Sequence, residues 1–461
     1  MLSNSLVELD RQHLIHPVAP YRAHEARGVT VIASGEGAYV RDAAGNRLLD
    51  GFAGLWCVNA GYGQPTIIEA INRQLQELQY ATGYFHFGAE TPIRLAARLA
   101  ELAPGDLNRV YFTLGGSDAV DTTIRFIRYY FNALGKPEKK QFITLEQGYH
   151  GSSSTGSGLT ALPLFHAGFD VPLAWQHRIP SPYPYRNPVG SDGPTIIAAS
   201  LEALKAKVAE LGGPEKVAAF YCEPIQGSGG VIVPPDGWVK AMRDLCAELD
   251  ILFVADEVIT GFGRTGPIFA CEHESIVPDL MTMAKGLTSG YLPMGAVMMR
   301  ESIYSVIADA SARSGMAVGH GFTYSGHPVS AAAGLAAIAL YTEGGLMEQG
   351  RRSGEALIAG LKALEDHPLV GEARGRGMLA ALEIVSNKNT KAKFDPSVKV
   401  GEKLFETAYA NGLIIRAFGD GTLGFAPPLC CSQDDIALLL ERTRKTLDDL
   451  LAVSEIRKAA A

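Results

Sequence analysis

The chain has 461 residues, of which 47% are hydrophobic and 20% charged, and a formal net charge of −8. That is length enough for two domains or three, with neither a basic face for nucleic acid nor a polyacidic tail. No uninterrupted apolar run approaches the roughly 18 residues of a membrane-spanning helix. The opening MLSNSLVELDRQHLIH lacks a basic segment followed by an apolar core, so no signal peptide is expected. The six cysteines form no C-x-x-C pair, which points to reduced, buried thiols and a cytoplasmic location. The histidines are scattered. His320 and His327 have no carboxylate or thiol partner at ligand spacing, and no metal is expected.

Residues 1–30 read as a short helix and a loop. GAYVRDAAGNRLLDGFAGLW then alternates around a turn at Ala44-Gly45-Asn46, as a hairpin does. Trp56 follows, and residues 65–78 carry a helical apolar period (Ile67, Ile68, Ile71, Leu75, Leu78). Tyr84-Phe85-His86-Phe87 is a non-helical aromatic cluster ahead of a helix at 91–102. A strand at 109–114 leads through Gly115-Gly116-Ser117 into an apolar helix ending near Leu134. A strand, a glycine-rich turn and a helix present backbone N–H groups and a positive dipole end to an anion, here at Gly116 and Ser117.

A short strand at 142–145 precedes Gln147-Gly148-Tyr149-His150-Gly151. Residues 177–194, rich in proline and tyrosine, read as a long surface loop. An amphipathic helix at 200–211 and a strand at 217–222 lead to Glu223, and a helix at 235–249 returns to the next strand. That strand, 251–255, is apolar throughout, as a strand buried on both faces is, and ends on Asp256 with Val258 two residues on. After Gly261, Gly263 and Gly266, a second apolar stretch at 280–284 ends on Lys285. Ligands of open α/β sheets sit beyond the carboxyl ends of the strands. A partly desolvated lysine there can form a Schiff base with an aldehyde. A carboxylate opposite can keep a pyridine nitrogen protonated, the electron sink of pyridoxal 5′-phosphate (PLP).

Beyond Gly319-His320-Gly321-Phe322-Thr323-Tyr324-Ser325-Gly326-His327-Pro328, helices are expected at 328–341 and 346–367 and a strand at 379–385. A helix at 400–410 stops at Asn411-Gly412, and a strand at 413–420 carries Arg416 among apolar residues. A guanidinium fork there suits a carboxylate, or else a salt bridge to Asp420. Ser432 caps a final helix. Strands alternate with helices from Val110 to Met299 and then cease to do so. The expected class is α/β, a large domain with a mostly parallel doubly wound sheet plus a smaller α+β domain from the N- and C-terminal segments. The boundaries expected are 1–60, 61–327 and 328–461.

Asp256-Glu257-Val258, Gly261-Phe262-Gly263-Arg264-Thr265-Gly266 and Ala284-Lys285-Gly286 resemble the class III, fold-type I, PLP-dependent aminotransferases, in the order found there. The resemblance runs from about residue 27 to 451. It implies Lys285 as Schiff-base lysine and proton shuttle, Asp256 on the pyridine nitrogen and Glu223 near the ring hydroxyl. Tyr149 and Val258 would cover the two ring faces, and Gly116 and Ser117 would hold the phosphate. It implies that Thr323 crosses a subunit interface to the partner's phosphate, in a homodimer or tetramer with shared active sites. Trp56, Tyr84, Phe85 and Tyr149 would line the substrate pocket, and Arg416 would grip a keto acid. Where the family reads S-G-S-E-A-N-D, this chain has G-G-S-D-A-V-D, so Asp118 and Val120 depart beside the phosphate site. The implied activity is amino transfer from an amine, diamine or ω-amino acid to pyruvate, by a ping-pong route. An aminomutase, a decarboxylating transaminase and a silent PLP-binding relative share the scaffold and stay open on sequence alone.

Overall fold

Seven strands form the central sheet of the computed structural model, which describes residues 5–460. They are β4 (Leu107–Thr113), β5 (Gln141–Leu145), β6 (Gln176–Ile179), β7 (Val217–Cys222), β8 (Leu252–Asp256), β9 (Leu280–Met283) and β10 (Gly295–Arg300). Their order is β4-β10-β9-β8-β7-β5-β6, and β10 alone runs against the rest. The middle strands have no polar face because both faces are covered. Phe220, Cys222, Phe253, Ala255, Met281 and Met283 enter one hydrophobic layer, and Ala219, Tyr221, Val254 and Leu280 the other. That division is the two-residue period of a pleated strand. The helix Gly116–Ala133 packs on the second layer through Ala119, Val120, Ile124 and Ile127. Trp238 and Met242 of the helix Trp238–Glu248 enter the first.

Two four-stranded sheets make the rest. β1 (Ile32–Glu36), β2 (Tyr39–Asp42) and β3 (Arg47–Asp50) form an antiparallel meander, and β13 (Leu413–Ile414) adds to β3 in parallel. Asp42 shapes the expected hairpin turn by accepting the N–H groups of Ala44 and Asn46 at 2.9 and 2.8 Å. The other sheet has the order β11 (Val370–Arg376), β12 (Leu379–Ile384), β15 (Leu423–Phe425), β14 (Arg416–Ala417). The N- and C-terminal segments are thus joined by hydrogen bonds between β3 and β13.

The structure corrects several sequence readings. Residues 177–194 are not one surface loop. They begin inside β6, their Tyr183 is buried, and the helix Gly193–Glu210 starts within them, with the Asp192 side chain accepting Thr195 N–H. The polar Gln176, His177 and Arg178 hid a strand at the sheet edge. The expected single strand 413–420 is split at Ile415, so one half pairs with β3 and the other with β15. The helix Pro328–Thr342 packs on the helices Pro65–Glu77 and Glu90–Leu102.

Candidate active site

The carboxyl ends of β4, β5, β7, β8 and β9 share one edge of the sheet, and a cleft of about 530 Å³ opens there. Trp56, Gly116, Ser117, Tyr149, Glu223, Asp256, Val258, Lys285 and Arg416 all line it. β8 and β9 lie side by side, Asp256 opposite Thr282, which sets the acid and Lys285 at adjoining strand ends. Lys285 opens a short 3-10 turn with φ 42°, and its Nζ stands 5.8 Å from the centroid of the Trp56 ring. Desolvation lowers its pKa, against the opposing pull of Cys57, Asp256 and Glu223.

Asp256 is 3% exposed and fixed from two sides. Its Oδ2 lies 2.8 Å from His150 Nδ1, and Oδ1 accepts Val258 N–H at 3.2 Å. His150 Nε2 meets Thr144 Oγ1 at 2.9 Å, and its ring packs edge-on to Tyr221 at 4.7 Å. This buried imidazole carries no role in the sequence reading. Its carboxylate partner lies 106 residues away, a distance no spacing rule spans.

Glu223 accepts the N–H groups of Tyr149 and Gly227 at 2.9 and 2.8 Å. Burial pushes its carboxyl up to about 7, although His150 pulls the other way. Gly116 begins the long helix, and a Cβ there would come within 3.1 Å of Val258. Ser117 Oγ accepts Ser152 N–H at 3.1 Å, and a Cβ on Gly151 would strike that oxygen at 2.7 Å. The glycines therefore keep a space at the helix N-terminus that larger residues would close. Val120, one of the two departures, is 1% exposed, lines the cleft and packs into the apolar layer behind it.

Arg416 is exposed at the cleft, with its guanidinium carbon 5.2 Å from the centre of the Phe418 ring. Asp420, its alternative partner, pairs with Lys393 instead. Among the described residues Arg416 makes no ion pair. The far wall is apolar and mostly unforeseen: Leu55, Leu162, Leu164, Phe165 and, from the N-terminal segment, Pro17 and Val18. That segment is knotted by Asp10, which meets His16 Nε2 at 2.6 Å and His24 Nε2 at 3.4 Å.

Three sequence candidates stand elsewhere. Tyr84, Phe85 and Thr323 do not line this cleft; they are exposed, Phe85 by 81%, and the Thr323 carbonyl accepts Tyr80 Oη at 2.8 Å. They share a face with Tyr80 and Tyr324, whose rings pack edge-on at 5.9 Å.

A family model for class III aminotransferases matches residues 21–447. The chain belongs to that family. It is 42% identical over 445 residues to the putrescine–pyruvate aminotransferase of Pseudomonas aeruginosa, covering 96% of each chain. It is 39% identical to the diaminobutyrate–2-oxoglutarate transaminase of Halomonas elongata, over 96% of this chain and 97% of that one. The omega transaminase of Pseudomonas jessenii in complex with PMP superposes with a TM-score of 0.94 at 38% identity, over 97% of this chain and 98% of that one. This class III aminotransferase is a PLP-dependent enzyme with the fold-type I architecture. Its cleft fits the cofactor. The glycine-kept space at a helix N-terminus suits a phosphate, and the fixed, buried Asp256 suits a charged ring nitrogen. No single helix among the described residues is long and apolar enough to cross a membrane.

Proposed function

We propose that this aminotransferase moves an amino group from a primary amine, diamine or ω-amino acid to pyruvate. The products are an aldehyde or ketone and L-alanine, released in two half-reactions that share one cleft. The observation that carries the reading is the pairing of an apolar wall beside Lys285 with an unpaired guanidinium at Arg416. An aliphatic or aromatic donor suits the wall, and a keto acid carboxylate suits the guanidinium fork. The similarity to a putrescine–pyruvate aminotransferase supports the same donors and acceptor.

PLP, when bound, supplies an aldehyde that condenses with amines and a ring that withdraws electrons. The chain's own residues do the rest. Ser117 and the N–H groups of Gly116 and Ser117 would hold the phosphate, and Thr323 would reach the phosphate held by a second copy of the chain. Tyr149 and Val258 would cover the ring faces, and Glu223 would face the ring hydroxyl. Asp256, held by His150 at 2.8 Å, would face the ring nitrogen. Lys285 Nζ, its pKa lowered by desolvation, would be the group that takes up and gives back the proton of the donor carbon. Tyr84, Phe85 and Thr323 belong in this reading to a homodimer interface, supported by the exposed aromatic face they share. Six free cysteines support a cytoplasmic location.

The test is a half-reaction. A panel of amines is added to the purified holoenzyme without keto acid, and the cofactor's visible band is followed. Loss of the band with putrescine or a simple amine, and its return with pyruvate together with alanine, is the expected result. A band unmoved by every amine, diamine and ω-amino acid in the panel would overturn the donor assignment. Return with 2-oxoglutarate but not pyruvate would overturn the acceptor.

A further inference from the structure

The wall beside Lys285 is carried by a loop whose conformation its own residues disfavour. The backbone has φ 48° at Ala53, 69° at Gly54 and 57° at Trp56, with Leu55 at φ −145° and ψ 61°. Two of those positive values fall on residues with side chains, where the left-handed region is costly and needs outside support. The Trp56 ring is buried and packs edge-on to Phe52 at 4.6 Å, but its Nε1 has no hydrogen-bond partner. No polar contact of the indole therefore sets its tilt. The backbone must.

One carboxylate holds that backbone on its entry side. Asp50, the last residue of β3, is 1% exposed. Its Oδ1 accepts Phe52 N–H at 3.0 Å, and its Oδ2 accepts Gly54 N–H at 2.7 Å and Tyr62 Oη at 2.6 Å. Three donors converge on one buried side chain, an arrangement that an anion satisfies and a neutral amide does not. On the exit side the loop is fastened to the segments around Lys285. Asn59 donates to the Phe262 carbonyl at 3.1 Å and accepts from Arg264 at 2.6 Å, while Ala60 N–H donates to Ser289 Oγ at 2.8 Å.

We infer that Asp50 is a positioning residue for donor specificity: through the N–H groups of Phe52 and Gly54 it holds the Trp56 indole against Lys285, and so sets how bulky a donor the cleft takes. The inference rests on the transaminase reading above. An asparagine at position 50 turns an amino group toward at least one of the three donors, and the loop must shift to relieve that contact. Tyr62→Phe removes a single donor and leaves both backbone bonds in place.

The test compares kcat/KM for a bulky arylalkylamine and a small linear amine in wild type, Asp50→Asn, Tyr62→Phe, Trp56→Ala and the Asp50→Asn/Trp56→Ala double variant. Asp50→Asn should change the ratio of the two donors by about tenfold or more, the scale of a remodelled pocket contact. Tyr62→Phe should move it less and in the same direction. In the Trp56→Ala background the Asp50→Asn change should have no further effect on the ratio. Leu361→Ala, in the distant C-terminal core, should lower stability and leave the ratio alone. Acrylamide quenching of Trp56 fluorescence, taken against Trp56→Phe, should rise in Asp50→Asn holoenzyme without any substrate. An unchanged ratio with unchanged quenching overturns the inference, as does an equal ratio change with and without Trp56. Should Asp50→Asn not fold, Asp50→Glu, which keeps the charge but moves both carboxylate oxygens, takes its place, and an unchanged ratio with unchanged quenching in that variant overturns the inference. If no donor in the panel is turned over by wild type, the transaminase reading fails, and the quenching comparison still decides whether Asp50 holds Trp56.

Discussion

Lys285 and Asp256 ask different things of the same cleft. In the proposed reading one carries a proton back and forth and the other faces the cofactor's ring nitrogen. Lys285→Ala is expected to lower kcat by at least about 10²- to 10⁴-fold, the range for a positioned acid–base group, measured by single-turnover loss of the cofactor's visible band. Arg416→Ala should raise KM for pyruvate by about tenfold or more while changing KM for an uncharged amine little, because only the acid meets the guanidinium. Glu223 supplies a pH signature. Its folded pKa of about 7 exceeds the ordinary 4.5, so the folded state holds its proton through that window and stability falls as pH rises across it. Denaturant titrations of cofactor-free protein should show wild type losing up to about 3 kcal/mol relative to Glu223→Gln between those limits. A difference that stays flat would contradict the raised pKa. Of these residues, Asp256 and Lys285 are legible in the sequence because each ends an apolar run. His150 is not, because its importance comes from a carboxylate brought in by another strand.

At the scale of elements, the buried strands announce themselves and the edge strands do not. β7, β8 and β9 are apolar runs, but β6 is QHRI and β11 is VGEARGR, each too polar to read as a strand. β11 instead does electrostatic work between domains. Its Arg374 donates to the carbonyls of Gly230 and Val231 at 2.6 and 3.0 Å and pairs with Glu372 and Glu383 at 2.9 and 3.1 Å. Arg374→Ala should cost about 1–3 kcal/mol, since it leaves the Gly230 and Val231 carbonyls without their donor while Glu383 keeps Arg186 at 2.7 Å and Lys393 at 3.3 Å, as read by the shift in denaturant midpoint. Arg374→Met, which keeps the volume but not the charge, should not rescue it. We also propose that the large domain extends to Thr342, because the helix Pro328–Thr342 packs on helices from the 61–327 segment.

For the whole molecule, the exposed face of Tyr84, Phe85, Phe87 and Tyr324 is the place to test assembly. Phe85→Asp is expected to shift the protein toward monomer in size-exclusion chromatography with light scattering, and to reduce activity with it. A variant that stays oligomeric and fully active would separate that face from the interface. The doubly wound sheet was legible from alternating apolar strands and amphipathic helices. The path of residues 413–420 was not, because an apolar stretch says nothing about changing sheets at Ile415.

That crossing has a consequence for biosynthesis. β3 finds its parallel neighbour only in Leu413–Ile414, far along the chain from Arg47–Asp50. At translation rates of about 5–20 residues per second, the meander waits roughly 20 to 70 s on the ribosome for that neighbour. The seven strands of the central sheet are all synthesised in that interval. Arg416 and the strand that anchors the Trp56 loop therefore come together only after the whole central sheet has been made, and a nascent chain released before residue 413 has a lysine and a sheet but no closed cleft around them.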